Sequence, residues 1–200
     1  MELLAPAGSR QALTAAVQSG ADAVYLGGPQ FGARYSAENF TIEEMKTWVD
    51  YCHLYGVDVH VTVNTLVKEK EIESFKEYLK QLNKIGVDAL IVQDMGAVEI
   101  IKKTVPDMTL HASTQMTVTS LEGVKYLEDM GFSRVVLARE LSKKEIEHIC
   151  KNAKAEIEVF VHGAICMCYS GQCLMSSILG GRSGNRGRCA QPCRLPYDLL

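Results

Sequence analysis

Short runs of aliphatic and β-branched residues recur along the first 160 residues, and a longer amphipathic stretch separates each run from the next. A strand that is buried on both faces reads as a nearly continuous apolar run, so these runs are typical of strands in a parallel sheet. The pattern predicts strands at residues 2–5, 22–27, 57–63, 88–93, 108–112, 134–138 and 156–162.

The stretches between these runs carry helical signals. Thr41 and Glu44 have the spacing of a capping box, and the helix that they begin runs towards Tyr55. Between Glu69 and Ile85, apolar residues recur at helical spacing, with lysine and glutamate on the opposite face. Further helices are predicted at residues 96–104, 120–130 and 142–153. Strands that alternate with helices favour βαβ units.

About seven βα units resemble an α/β fold of the TIM type, a (β/α)8 barrel that lacks its final unit. An open doubly wound sheet is the alternative, although no Gly-x-Gly-x-x-Gly motif follows the first strand. We expect residues 1–163 to form the barrel core. Residues 164–200 are expected to form a segment rich in cysteine, glycine and arginine that continues into sequence beyond residue 200.

The composition, 47% hydrophobic and 22% charged, is ordinary for a globular protein. A net charge of −3 argues against nucleic-acid binding through global charge but allows a local basic patch. The N-terminus is acidic and soon interrupted by Pro6, unlike a secretory signal, and no apolar run reaches the roughly 18 residues that span a bilayer. We therefore predict a cytoplasmic protein without membrane contact, whose thiols are reduced.

Polar residues follow the predicted strands at the end of a barrel where active sites lie. The candidate catalytic residues there are His111, Gln115, Arg139, Glu140 and His162. Because they are not typical turn formers, we expect several to line one pocket. The histidines suit proton transfer and Arg139 suits a substrate carboxylate. The alternatives are buried structural histidines and a local Arg139–Glu140 ion pair.

Two loops contain candidate substrate-binding residues. Residues 31–40 are long for a βα loop and are predicted to form a lid with Arg34 and Asn39 facing the substrate, or else a plain surface loop. Near the C-terminus, arginines lie among glycine, serine and asparagine, a composition that suits contacts with RNA. We single out Arg186 and Arg188 there. The alternative is a solvated loop.

Five of the seven cysteines fall within 28 residues: Cys166, Cys168, Cys173, Cys189 and Cys193. Thiols gathered on a glycine-rich segment can bind a soft metal or an iron–sulfur cluster. The spacing Cys-x6-Cys-x15-Cys-x3-Cys, which omits Cys168, matches neither the standard ferredoxin pattern nor the zinc-ribbon pattern, so it does not decide between a cluster and zinc. A further alternative pairs Cys166 as a nucleophile with His162 as its base.

Several segments carry a family resemblance. The densest is Glu158-x-Phe160-x-x-Gly163-Ala164-Ile165-Cys166-x4-Gly171-x-Cys173-x-Met175-Ser176, and others include Leu4-Ala-Pro-Ala-Gly8, His111-Ala-Ser-Thr-Gln115 and Asn185-Arg-Gly-Arg-Cys189. They resemble the collagenase-like peptidase family of unknown catalytic type. That family includes tRNA-uridine hydroxylases and proteins of oxygen-independent ubiquinone hydroxylation. The resemblance extends over essentially the whole chain.

The resemblance implies a barrel-like catalytic domain and, in the hydroxylating members, a [4Fe–4S] cluster. Cys166, Cys173 and Cys189 match ligand positions, and the fourth ligand is Cys193 or a residue beyond 200. The implied activity is hydroxylation of the tRNA wobble uridine to 5-hydroxyuridine, with prephenate, a small metabolite, as co-substrate. The alternatives are a collagenase-like peptidase and a hydroxylation factor that is non-catalytic or depends on a partner. The expected partners are tRNA, a small metabolite and either a protein partner or a second copy of the chain in a homo-oligomer.

Overall fold

The computed structural model describes residues 1–33, 37–163, 165–169 and 171–198. The described strands are β1 (Leu4–Pro6), β2 (Ala23–Gly27), β3 (Asp58–Val63), β4 (Ala89–Val92), β5 (Thr109–Ala112), β6 (Arg134–Val136) and β7 (Glu156–Glu158). The α-helices are α1 (Arg10–Gln18), α2 (Ile42–Leu54), α3 (Ile72–Ile85), α4 (Met95–Thr104), α5 (Leu121–Asp129), α6 (Lys143–Asn152) and α7 (Met175–Gly180). Short 3-10 helices occupy Glu69–Glu71, Thr114–Met116, Gly184–Arg186 and Pro192–Arg194.

All seven strands are parallel, and they pair side by side in chain order from β1 to β7. This order contradicts the doubly wound alternative, in which the strand order reverses within the sheet. The sheet also curls: Arg134 at the start of β6 is close enough to donate hydrogen bonds to Glu2, which precedes β1. The predicted incomplete barrel of the TIM type is confirmed.

Local signals explain where several helices begin and end. The predicted capping box of α2 is present: the Thr41 side chain accepts from the Glu44 amide, and the Glu44 side chain accepts from the Thr41 amide. Helix α3 ends at Gly86, whose φ of 82° lies in the left-handed region. Helices α1 and α7 were not predicted.

The strands present an apolar face to the helices, and in β3 and β5 the opposite face, towards the barrel interior, carries polar side chains. In β3, Val59, Val61 and Val63 belong to the core between sheet and helices. His60 and Thr62 alternate with them, which directs these polar side chains inward. The prediction that the strands are buried on both faces is correct for β3, but the inner face is more polar than an apolar run suggests.

Strands β6 and β7 end earlier than predicted. Val159, Phe160 and Val161 follow β7 outside the sheet, with 39%, 44% and 88% of their surface exposed. The chain then enters residues 165–169 and 171–198, which we call the cysteine segment. No helix in the described parts of the chain is both long and apolar enough to cross a membrane.

Candidate functional site

Three cavities lie near the C-terminal ends of the strands. The first, of about 560 Å³, lies beyond β6 and β7, and its lining includes Arg139, Phe160 and His162. The Arg139 guanidinium carbon is 5.3 Å from the centroid of the Phe160 ring, a cation–π distance. The structure therefore brings together two of the predicted catalytic residues, Arg139 and His162, beside an aromatic ring that the prediction had not included as a site residue.

The second cavity, of about 480 Å³, lies beyond β2 and β3. Its lining includes Asn39, Lys68, Glu71, Arg186 and Arg188. The predicted substrate-binding residues Asn39, Arg186 and Arg188 thus share one cavity, whereas Arg34 lies outside the described residues.

The loop predicted to form a lid is anchored at both of its ends. The Phe31 ring packs edge-on against Phe75, with centroids 4.9 Å apart, and Phe40 is buried. Asn39 adopts a φ of 50° and holds its side chain close to Gly27 at the end of β2. Asn39 therefore stands against the end of a barrel strand.

The guanidinium of Arg186 is bound within the protein. Its two terminal nitrogens donate to the two carboxylate oxygens of Glu71 at 2.8 and 2.6 Å, and one of them also donates to the Leu66 carbonyl. The hydrogen bonds from Arg186 lower the pKa of Glu71 to about 2, because they stabilise its ionised form. Glu71 was not predicted as a site residue, since its partner lies 115 residues away.

The third cavity, of about 530 Å³, includes Gln93, Gln115, Gln172 and Asn185 in its lining. The side-chain oxygen of Gln115 is buried, and among the described residues it has no hydrogen-bond partner. The cysteine segment covers this residue closely, because a Cβ placed on Gly171 would stand 2.6 Å from the Gln115 carbonyl oxygen. Gln115 therefore lies in a different cavity from Arg139 and His162.

The remaining predicted catalytic residues lie elsewhere. Glu140 is exposed to solvent. His111 is buried in the barrel interior, where its ring meets His60 edge-on with centroids 4.6 Å apart. Burial, with smaller contributions from His60 and Arg134, lowers the pKa of His111 to about 3. His111 is therefore neutral at pH 7 and suits hydrogen bonding better than proton donation.

A polar cluster in the barrel interior was not predicted from the sequence. Arg134 donates to Glu2 at 2.6 Å and to Glu156 at 2.9 Å, and its side chain is 9% exposed. Its distance to Glu158 is 3.7 Å, an ion-pair contact too long for a hydrogen bond. Burial raises the pKa of Glu158 to about 7, against the opposing effect of Arg134. The alternation of inward and outward side chains along β3 and β5 was the sequence signal that could have placed His60 and His111 together in the barrel interior.

The cysteines supply suitable donors without an assembled site. All five thiols of the segment are free, and four of them, Cys173 being the exception, are exposed. Among the described residues, no three cysteine, histidine, aspartate or glutamate side chains form a group that could hold a metal ion. The donor set suits an iron–sulfur cluster. The positions of the thiols in the structure do not suit a cluster, so cluster binding would require the cysteine segment to rearrange.

A nucleophile–base pair is also not formed in the described residues. His162 and Cys166 are both exposed, and no hydrogen bond joins them where the structure describes this part of the chain. An activated cysteine nucleophile requires its base within hydrogen-bond reach. The geometry therefore gives no support to this alternative.

Comparison with known proteins shows the family to which the sequence is similar. The sequence model of peptidase family U32 matches residues 8–200. Over 199 residues the chain is 47% identical to a 23S rRNA 5-hydroxycytidine synthase of Escherichia coli, covering 100% of this chain and 30% of that protein. It is 41% identical over 198 residues to a tRNA hydroxylation protein of Bacillus subtilis, covering 99% and 47%.

Other similarities extend to proteins named as proteases. A collagenase of Porphyromonas gingivalis is 35% identical over 211 residues, covering 99% of this chain and 50% of that protein. A solved U32 peptidase structure superposes with a TM-score of 0.68 at 21% identity, over 84% of this chain and 71% of that one, which supports the fold alone. The chain spans between 30% and 50% of the length of these three curated relatives.

Proposed function

The chain belongs to peptidase family U32, and on that premise we propose that it is part of an RNA-modifying enzyme that hydroxylates C5 of a pyrimidine base. The observation that carries the proposal is its similarity, across 99% or more of its length, to two relatives named for RNA hydroxylation, at 47% and 41% identity. Relatives named as collagenase or protease are 35% and 38% identical.

The first cavity suits an unstacked base. Its volume of about 560 Å³ lies within the range of small-molecule sites. Proteins recognise splayed RNA bases by stacking them on aromatic rings and guanidinium planes, and Arg139 with Phe160 offers both. We propose that the base lies against this pair and that His162, at the edge of the same cavity, forms hydrogen bonds to the base or exchanges a proton with it.

The second cavity suits the RNA backbone. Lys68 and Arg188 line it, and cationic side chains on a mildly acidic protein provide local attraction for phosphates. We propose that Asn39 and Arg188 contact the RNA there. The Arg186 guanidinium already binds Glu71, so its contribution to this cavity is indirect.

We propose that the RNA is a tRNA and the base its wobble uridine, as the family resemblance implies. Cytidine in ribosomal RNA is the competing target, because the relative that is 47% identical is named for it. In this reaction a donor hydroxyl replaces the C5 hydrogen and the donor takes up that hydrogen. The exchange oxidises the base and reduces the donor by two electrons each, and we propose prephenate as the donor.

We also propose that Cys166, Cys173 and Cys189 bind a [4Fe–4S] cluster, with Cys193 or a residue outside this chain as the fourth ligand. The support is the family resemblance and a set of four free thiols within 28 residues. A bound cluster would supply electron transfer. The roles proposed for Arg139, Phe160 and His162 do not depend on it.

The test is the 5-hydroxypyrimidine content of RNA. Total tRNA and ribosomal RNA from cells that lack the gene are digested and compared by mass spectrometry with RNA from cells restored by the complete natural protein. We expect loss of 5-hydroxyuridine from tRNA and its return on complementation. Loss of 5-hydroxycytidine from ribosomal RNA alone would instead change the target. An unchanged content of both nucleosides, together with gelatin cleavage by the purified protein, would overturn the proposal in favour of a peptidase.

A further inference from the structure

The cysteine segment contacts the barrel at residues 185–187, a tight turn made by the end of the 3-10 helix Gly184–Arg186 and by Gly187. The Asn185 carbonyl accepts from the Leu66 amide at 3.3 Å and from the Gln93 side chain at 3.4 Å. These contacts place the turn over the loops that follow β3 and β4. The bidentate pair between Arg186 and Glu71 completes the attachment.

Gly187 permits this close approach to a third loop. A Cβ at this position would stand 2.8 Å from the Gly32 carbonyl oxygen and from backbone atoms of Ala33, so the turn lies flush against the loop after β2. Its φ of 73° also falls in the left-handed region, which glycine adopts without strain. Three barrel loops therefore hold one turn of the cysteine segment.

Two of the predicted cluster ligands are connected to the same turn. A Cβ at Gly184 would lie 3.7 Å from the Cys189 Cβ and 3.8 Å from the Cys173 carbonyl oxygen, so both cysteines flank the start of the turn. The buried Ser176 hydroxyl accepts a hydrogen bond from the Ala190 amide at 3.0 Å. This bond connects the part of the segment that follows Cys173 to the part that follows Cys189. A displacement of the turn would thus move both cysteines.

We propose that Glu71 is a positioning residue: through Arg186 it holds the turn 185–187 on the barrel and thereby fixes Cys173 and Cys189 over the ends of the strands. Arg186 then serves in place of a direct substrate contact as the link between barrel and segment. Glu71 is itself held in place, because its carboxylate accepts from the Lys68 amide at 2.9 Å at the start of a 3-10 helix. This inference does not rest on the proposed function.

The pair is suited to a fixing role by its geometry. A planar guanidinium that binds both oxygens of one carboxylate defines direction as well as distance, which a lysine ammonium does not. The side chains of Arg186 and Glu71 are 28% and 23% exposed, so solvent screens the pair only in part. Replacing Glu71 by glutamine keeps the size of the side chain and removes the charge.

The experiment measures alkylation rates of individual cysteines in the complete natural protein, purified without a bound metal, by peptide mass spectrometry. In Glu71→Gln we expect the rate at Cys173, which is partly covered, to rise about fivefold. Arg186→Lys, which keeps the charge but cannot bind both carboxylate oxygens in one plane, should raise this rate in the same sense. Cys150 is exposed on α6 and serves as the internal control, with an unchanged rate expected.

Glu69→Gln is the matched control, because Glu69 belongs to the same 3-10 helix and is exposed. Trypsin cleavage after Arg188 gives a readout that does not involve the thiols and should accelerate in the same two variants. Unchanged alkylation of Cys173 and unchanged cleavage after Arg188 in both variants, with melting temperatures that show intact folding, would overturn the inference. An equal rise at Cys150 would also overturn it, since it would indicate general loosening.

Discussion

Two arginines form ion pairs with carboxylates at opposite ends of the barrel, and they differ in how far they are buried. Arg134 lies inside, 9% exposed, and joins Glu2 at the start of the chain to Glu156 in β7. Arg186 lies at the C-terminal end, 28% exposed, and joins a surface segment to Glu71. The first links the two sides of the curled sheet, and the second fixes one turn. The difference in burial and connectivity predicts a difference in what each loss would cost.

The contacts of Arg134, which we call the inner cluster, connect parts of the barrel fold, whereas the pair between Arg186 and Glu71, which we call the outer pair, lies beside the second cavity. Within the described residues, hydrogen-bonded strand pairing joins β1 to β2 and β6 to β7, but not β7 to β1. Arg134 bridges the two end strands instead. By contrast, the described residues of the cysteine segment contribute no strand to the sheet.

The largest expected effect comes from Arg134→Met. The change removes the partner of Glu2, which is partly exposed, and of Glu158, which is largely buried, and it should lower the free energy of unfolding by about 3 kcal/mol. Urea denaturation at pH 7 measures it. Arg186→Met is the paired variant, with an expected loss of about 1 kcal/mol. Equal losses in the two variants would break the comparison.

Acid should destabilise the inner region through its histidines. The folded-state pKa of His111 is about 3 and its ordinary value is 6.5, so between these values the unfolded chain binds a proton that the folded chain does not. The contribution of neutral His111 to the free energy of unfolding is therefore complete above pH 6.5, and a few kcal/mol of it are lost as the pH falls towards 3. The lowered pKa of His60 acts in the same direction.

The variant His111→Asn should reduce this acid dependence, because one of the two protonation sites is removed. Unfolding free energies from pH 7 down to pH 4, in the variant and the natural protein, provide the check. Identical slopes for the two proteins would show that His111 is not held neutral by burial.

Glu158 has the opposite sign. Its folded-state pKa, raised by burial to about 7 from an ordinary 4.5, means that the folded chain binds the proton more tightly than the unfolded one. Its contribution is complete below pH 4.5 and is lost as the pH rises through 7. Glu158→Gln should therefore gain about 1–3 kcal/mol relative to the natural protein between pH 5 and pH 8. Thermal unfolding of the two proteins at several pH values measures this effect. A difference in stability that stays constant from pH 5 to pH 8 would contradict the prediction.

The smallest stability effect sharpens the comparison at the outer pair. Glu71→Gln should lower the free energy of unfolding by about 1 kcal/mol or less, because the pair is partly exposed and solvent competes for it. Chemical denaturation beside Glu69→Gln provides the measurement. A loss approaching that of Arg134→Met would mean that the cysteine segment is part of the folding unit of the barrel.

The sequence predicted the fold through local signals that persist in the structure. The capping box of Thr41 and Glu44 began α2 where expected, and apolar runs located all seven strands. Helix α1 was missed, although its buried residues Leu13 and Val17 have helical spacing. Arg134 and Glu2 are separated by 132 residues, and only the curl of the sheet brings them together. No local pattern encodes such a contact.

The candidate site was predicted less completely for a related reason. Residues at strand ends were found because their position follows from barrel topology, yet they divide among separate cavities and the interior. His60 was not among the predicted site residues, although its alternation with Val59 and Val61 already directed it inward beside His111. Phe160 and Glu71 acquire their roles only through partners elsewhere, Arg139 and Arg186. The roles of the cysteines in cluster binding stay predictions.

The most direct test of the central claim is the 5-hydroxypyrimidine content of RNA from cells whose only copy of the complete protein carries Arg139→Ala with Phe160→Ala. We predict that hydroxylation falls at least about tenfold. The matched variant Lys144→Ala, on exposed α6, should keep the natural level. Unaltered hydroxylation in the double variant, with the protein present at its normal amount, would contradict the assignment of the first cavity as the site of the reaction.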